Sequence, residues 1–230
     1  MSARVGLLVP SSNTVAEADF YRRLPAAATL HTARMYLDEV TAEDEAVMLD
    51  EHLPPALRDL ATTRPDVVVF ACTSAGTLRG NAYEEELVRR IGERTRARAI
   101  SVAAAVRRAI AGREARRIGV VTPYVQALND AIRGSLEAEG FEVVRIRGMG
   151  ITANVEIGAV EPERIAEFAR ETFRSADVEL VFVSCTNFRA FEAREQIEQD
   201  LDVPVVTSNH AALEAVLELL RATTDGARPG

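Results

Sequence analysis

The strongest constraint on this chain is that it repeats itself. VGLLVPSSN (residues 5–13) resembles IGVVTPYVQ (residues 118–126), which aligns Pro10 with Pro123 at an offset of 113 residues. The only two cysteines, Cys72 and Cys185, are separated by the same 113 residues. Each closes an apolar run, DVVVFAC in one case and ELVFVSC in the other, and each is followed by a threonine. Two unrelated pairs would rarely agree to the residue. The chain therefore reads as two homologous halves, the second starting near Arg116, and RAISVAAAV and VPVVTSNHA correspond across them after a shorter connection.

Within each half, apolar runs alternate with helical patterns. Strands are expected at 4–9, 28–35, 66–71 and 98–102, alternating with helices at 14–24, 43–63, 81–95 and 103–112. The second half repeats the order, with strands near 117–122, 141–147, 179–184 and 203–207 and helices near 124–139, 161–175, 188–199 and 209–222. Pro54 and Pro55 are expected to break or restart the second helix, because proline lacks the N–H that continues it. Strand–helix alternation implies parallel sheets, and near-continuous Val/Ile/Leu runs suit strands covered on both faces. The expected fold is α/β: two pseudo-twofold-related halves, each a small parallel sheet of about four strands flanked by helices, with the active site in the cleft between them. The expected division is residues 1–112 plus a C-terminal helix at about 209–223 for the first half, and residues 113–208 for the second.

Composition removes several kinds of chemistry. All 27 basic residues are arginine against 35 acidic ones, a net charge of −8. That balance disfavours nucleic acid or an anionic membrane as partner, since both need a basic face. The absence of lysine excludes Schiff-base chemistry and the phosphate-loop lysine. No Gly-x-Gly-x-x-Gly fingerprint occurs, and His31, His52 and His210 form no ligand pattern with the cysteines, so neither cofactor nor metal is expected. Two distant cysteines do not make a secreted disulfide framework. The N-terminal apolar stretch is too short for a signal peptide, and a cytoplasmic location is expected. A homo-oligomer, most simply a dimer, is the default assembly.

In open parallel sheets, ligands sit beyond the carboxyl ends of the strands. Cys72 and Cys185 occupy that position, as do Ser11, Ser12, Asn13 and Tyr124. A buried strand-end cysteine is usually only a small hydrophobe. A matched pair at ligand-binding ends points instead to catalysis. Thiols react as thiolates, and a nearby helix start would lower their pKa. The hydroxyls beside each cysteine, Thr73 and Ser74 in one half and Thr186 in the other, join Ser11 and Asn13 as candidate substrate-binding groups. PSSNT also has the form of a turn and helix cap, with Ser12 or Asn13 as the capping residue, and a capped helix start can itself hold an anion. Asn154 lies in the Gly-rich segment GMGITANVEIG, where most asparagines make turns. Arg79 and Arg189 follow the cysteine loops and are either anion-attracting groups or ordinary surface arginines. His210 reads as a cap or supporting residue at the start of the last helix.

A two-halved α/β chain with one cysteine per half resembles the aspartate/glutamate racemase superfamily. Within that superfamily it is most similar to the maleate cis-trans isomerase family, which lies near the arylmalonate decarboxylases. VGLLVPSSNTVAEADFYRRLP, ACTSAG, TPY, ITANVEIG and SCTN carry the resemblance, in the family's order and over essentially the whole chain. The resemblance implies that Asn13, Tyr124 and Asn154 hold substrate carboxylates, that Cys72 is the nucleophile and that Cys185 handles the proton. It also implies a small dicarboxylate substrate and no cofactor. Racemases of the superfamily carry an acidic residue in the first strand-end loop, where this chain has Pro-Ser-Ser-Asn. Glutamate racemases place a histidine where this chain has Asn187, and the decarboxylases keep only the second cysteine. Cis-trans isomerisation of maleate or a related enedioate, through a succinyl-type cysteine adduct, is therefore the expected activity. A two-cysteine racemase or epimerase of an amino acid such as aspartate is the alternative, and a non-catalytic ligand-binding protein the third.

Overall fold

Short runs of valine, isoleucine and leucine with no polar alternation suit strands buried on both faces, and the computed structural model, which describes residues 2–226, places them so. Strands β1 (Ala3–Pro10), β2 (Ala28–Met35), β3 (Val67–Phe70) and β4 (Arg98–Ser101) form one sheet in the order β2-β1-β3-β4. Strands β5 (Arg117–Thr122), β6 (Glu142–Gly148), β7 (Leu180–Val183) and β8 (Val205–Thr207) form another in the order β6-β5-β7-β8. Every pairing is parallel, with Leu7 opposite Val69 and Val120 opposite Phe182 in the corresponding central pairs. VVVF of β3 and LVFV of β7 are wholly buried, whereas the edge strands β2 and β6 are half-exposed. The identical strand order is the structural counterpart of the sequence repeat.

The flanking helices are α1 (Ala16–Arg23), α2 (Ala42–Val47), α3 (Leu53–Ala61), α4 (Thr73–Thr77), α5 (Asn81–Thr95), α6 (Val102–Ala111), α7 (Gln126–Ala138), α8 (Asn154–Gly158), α9 (Pro162–Phe173), α10 (Ala190–Leu201) and α11 (Ser208–Gly226). The α-helix restarts at Pro54 and Pro55, as expected. The prolines sit in the first turn of α3, and a π-helical turn (Met48–His52) joins α2 to it. Proline is tolerated there because the first turn of an α-helix does not depend on its N–H. Helices α4 and α8, each only five residues, occupy segments expected as loops.

A single contiguous hydrophobic core runs through both sheets and their helices. Helix α11 follows β8 and packs on α6, α1, β3 and β4. Opposite the shared strand ends, two loops meet. The segment after β2 pairs with the segment after β6 through an antiparallel bridge between Glu39 and Ala153, with Val40 N–H donating to the Thr152 carbonyl at 2.7 Å. Asn154 N–H likewise donates to the Asp38 carbonyl at 3.0 Å.

Candidate active site

Because β1, β3, β5 and β7 are the central strands of their sheets, their carboxyl ends converge under the bridged loops. The residues immediately beyond them wall a small cavity. Asn13, Cys72, Ser74, Tyr124, Asn154, Cys185 and Thr186 all line it, together with Pro10, Leu37, Val40, Glu45 and Asn187. Of the candidates read from sequence, Ser11 and Thr73 stand outside this wall. Ser11 exchanges hydrogen bonds with the Leu37 backbone, accepting from its N–H at 3.1 Å and so holding the covering loop. Thr73 is buried and donates to Ser208 Oγ at 3.0 Å.

Asn13 does two jobs with one side chain. Its Oδ1 accepts the Val15 and Ala16 N–H groups at 3.0 and 2.9 Å, capping α1. Its Nδ2 donates to Thr186 Oγ1 at 3.0 Å, on the far side of the cavity. Thr186 in turn donates to the Ala71 carbonyl at 3.1 Å, beside Cys72. Asn154 Nδ2 donates to Ser12 Oγ at 2.8 Å. Asn187, which sequence reading passed over as a site residue, is the hub. Its Oδ1 accepts from Thr14 N–H at 2.8 Å, while its Nδ2 donates to the Asn154 carbonyl at 2.6 Å and to Asn154 Oδ1 at 3.1 Å. A position 113 residues after Ser74 could have been suspected from the repeat, but nothing in the local sequence distinguishes it.

The two thiols are free, buried and differently held. Cys72 lies 3.9 Å from Glu45 Oε1 and 4.0 Å from Ser74 Oγ. Burial, and next the charge Glu45 carries when ionised, hold its pKa well above the ordinary thiol value. The expected lowering by a helix start is therefore overturned in the resting site, because desolvation of the thiolate outweighs the N–H groups that face it. Cys185 has φ of 109°, a strained conformation for a residue other than glycine. That turn brings Asn187 N–H within 3.2 Å of its sulfur and lets Ser208 Oγ accept its own N–H at 3.1 Å. Burial pushes the Cys185 thiol up to about 12, opposed by the Tyr124 hydroxyl and the Asn187 and Phe188 N–H groups, all of which favour the thiolate. Tyr124 is kept a phenol by burial, well above its usual range.

Glu45 is the second residue that sequence reading missed. It belongs to an acidic stretch and looks like a surface charge, but α2, capped by Thr41, turns it inward while Glu43 and Asp44 face solvent. Ser74 Oγ donates to its Oε1, and burial raises the carboxyl to about 8. Arg79 and Arg189 prove to be surface groups: Arg79 pairs with Asp50 at 2.6 Å, and Arg189 with Glu161 and Glu192. His210 packs edge-on against Phe191 beside Arg194, away from the cavity. Among the described residues no cation lines the cavity, and no cluster of His, Cys, Asp and Glu is arranged to hold a metal. No helix among them is long and apolar enough to cross a membrane.

Such a wall offers two thiols, three amides, several hydroxyls and a carboxyl to a small anionic ligand. Comparison with known proteins agrees with that description. Maleate isomerase of Geobacillus stearothermophilus is 27% identical, covering 96% of this chain and 93% of its own. A solved Cys-to-Ala maleate isomerase of Pseudomonas putida with maleate matches with a TM-score of 0.88 and 27% identity, over 95% of this chain and 92% of that one. A Cys-to-Ser maleate cis-trans isomerase of Nocardia farcinica, carrying a covalently bound succinylcysteine intermediate, matches with a TM-score of 0.87 and 26% identity, over 95% and 93%. Residues 5–229 match the family model described as arylmalonate decarboxylase. With nearly the whole length matched and the two-sheet architecture in place, this chain belongs to the arylmalonate decarboxylase family.

Proposed function

We propose that this protein isomerises maleate or a related cis-enedioate to the trans form through a covalent adduct on Cys72. The observation that carries this reading is the pair of free thiols in the wall of one cavity, flanked by Asn13, Tyr124 and Asn154. A relative that carries a succinylcysteine intermediate supports it.

Addition of the Cys72 thiolate to one alkene carbon turns the double bond into a rotatable single bond. The displaced electron pair moves toward the second carbon and its carboxylate, where amide and hydroxyl donors oppose the developing charge. Cys185 gives its proton to that carbon, and the Tyr124 hydroxyl and the turn N–H groups receive the thiolate left behind. After rotation, Cys185 recovers the proton and the carbon–sulfur bond breaks. Holding Cys72 as a thiol in the resting site limits adventitious oxidation, and addition draws on its small thiolate fraction. No step calls for a cofactor. A cytoplasmic homodimer, with residues 1–112 and 209–223 forming one half and 113–208 the other, completes the reading.

The test separates the two thiols. Cys72→Ala should abolish turnover, whereas Cys185→Ala incubated with maleate should accumulate protein heavier by one substrate, with the modification on Cys72. Intact-protein mass spectrometry and peptide mapping read both outcomes. A racemase, in which both thiols only move protons, would form no adduct in either variant. An adduct on Cys185 would reverse the assigned roles, and turnover surviving in a double Cys→Ser variant would remove the thiols from the chemistry.

A further inference from the structure

Among the described residues, Glu45 is the only acidic side chain in the cavity wall, and half of its carboxyl group has nothing to do. Oε1 accepts from Ser74 and lies 3.9 Å from the Cys72 sulfur. Oε2 is fully buried and has no hydrogen-bond partner. Buried polar atoms are nearly always paired, so an orphan at a cavity wall points to a missing ligand atom. At neutral pH this carboxyl is mostly protonated, because burial raises it to about 8. With Oε1 already accepting from Ser74, the acid proton falls to Oε2, which then becomes a donor without an acceptor.

The cavity's other peculiarity is complementary. A dicarboxylate brings two negative charges, yet no arginine or histidine among the described residues lines the wall. Neutral donors must do what a cation does elsewhere, and a carboxylic acid is the strongest of them toward a carboxylate. Resting on the dicarboxylate reading above, we propose that Glu45 is a specificity residue whose Oε2–H donates a hydrogen bond to a carboxylate oxygen of the bound substrate, in place of the absent cation.

Proton and substrate are then linked. Ionised Glu45 would present a third negative charge to the dianion, so affinity for maleate, read as 1/KM, should fall about tenfold per pH unit above about 8, while the growing Cys72 thiolate fraction acts on kcat. The other titratable groups facing Glu45 are Cys72, Cys185 and Tyr124, and all three are raised beyond that window. On its own helix and the turn that follows, Glu43, Asp44, Asp50 and Glu51 are exposed and His52 is half-buried.

The experiment measures maleate kinetics from pH 6.5 to 9.5 for the wild type, Glu45→Leu and Glu45→Gln. Leucine removes the donor and should raise KM by about 10- to 100-fold, the range for a lost hydrogen bond to a charged group. Glutamine can donate from the same place at every pH. It should recover most of that loss and abolish the fall above pH 8, a profile that a purely structural role would leave unchanged. A wild-type KM in Glu45→Leu would overturn the proposal. So would a 1/KM profile in Glu45→Gln that still falls above pH 8, which decides the matter even if the leucine variant does not fold. Failure of the wild type to turn over maleate would instead overturn the isomerase reading, and this inference with it.

Discussion

Replacing Asn13 by alanine should separate folding from catalysis at a single side chain. The structure specifies what is lost: two capping bonds at 3.0 and 2.9 Å to the first turn of α1, and one donated bond at 3.0 Å to Thr186. Loss of such a cap costs about 1–2 kcal/mol. Thr186 keeps its bond to the Ala71 carbonyl, so the third loss adds little. For a chain of this size each kcal/mol moves Tm by about 2–4 °C, so the variant should melt roughly 2–8 °C lower and stay folded at assay temperature. Its turnover should suffer far more, because removing a positioned donor to a developing oxyanion costs about 100-fold or more in rate. Asn13→Asp sharpens the comparison. Its carboxylate restores the cap and so most of the Tm, but it removes the amide donor and adds a negative charge to a cavity without cations, so turnover should remain lost. Thermal melting by circular dichroism and the decay of maleate absorbance supply the two readouts. If Asn13→Ala melts lower while kcat/KM stays within about threefold of wild type, Asn13 is a cap and nothing more.

Two further outcomes follow from the buried ionisable groups. Glu45 has a folded-state pKa of about 8 against an ordinary 4.5, so folding binds a proton; its contribution is fully present below about pH 4.5 and is lost as pH rises to about 8. Glu45→Gln removes that dependence and should stabilise the protein by about 3 kcal/mol more at pH 7 than at pH 4.5, which urea titrations at the two pH values would read. Equal gains at both would mean that the carboxyl is not buried as described. Iodoacetamide should label Cys72 slowly at pH 7 in the resting protein and about tenfold faster for each unit of pH up to about 9, as expected for a thiol with a raised pKa. Fast, pH-independent labelling near neutrality would show that the resting site holds a thiolate.

What this chain determines by itself is what local pattern can carry. VVVF and LVFV have no polar alternation and stand between helical patterns, which suits central parallel strands, and the common offset of Pro10/Pro123 and Cys72/Cys185 puts both cysteines at equivalent strand ends. The capping asparagine in PSSNT is equally local, since its partners lie two and three residues away. The short helices α4 and α8 escaped notice because five residues carry too little periodicity to register. Other features depended on neighbours far along the chain. Glu45 looks no different from Glu43 and Asp44 until tertiary packing buries one and exposes the others. Asn187 becomes a hub only when the loops containing Thr14 and Asn154 are brought to it. Ser11 and Thr73 sit beside true wall residues in sequence, but their side chains are spent on the Leu37 backbone and on Ser208. The Cys72 pKa even moves opposite to the direction that its sequence setting suggests. A thiol's ionisation is set by how much solvent it loses and by which charges stand within a few ångströms, and in this protein residues distant in sequence supply both.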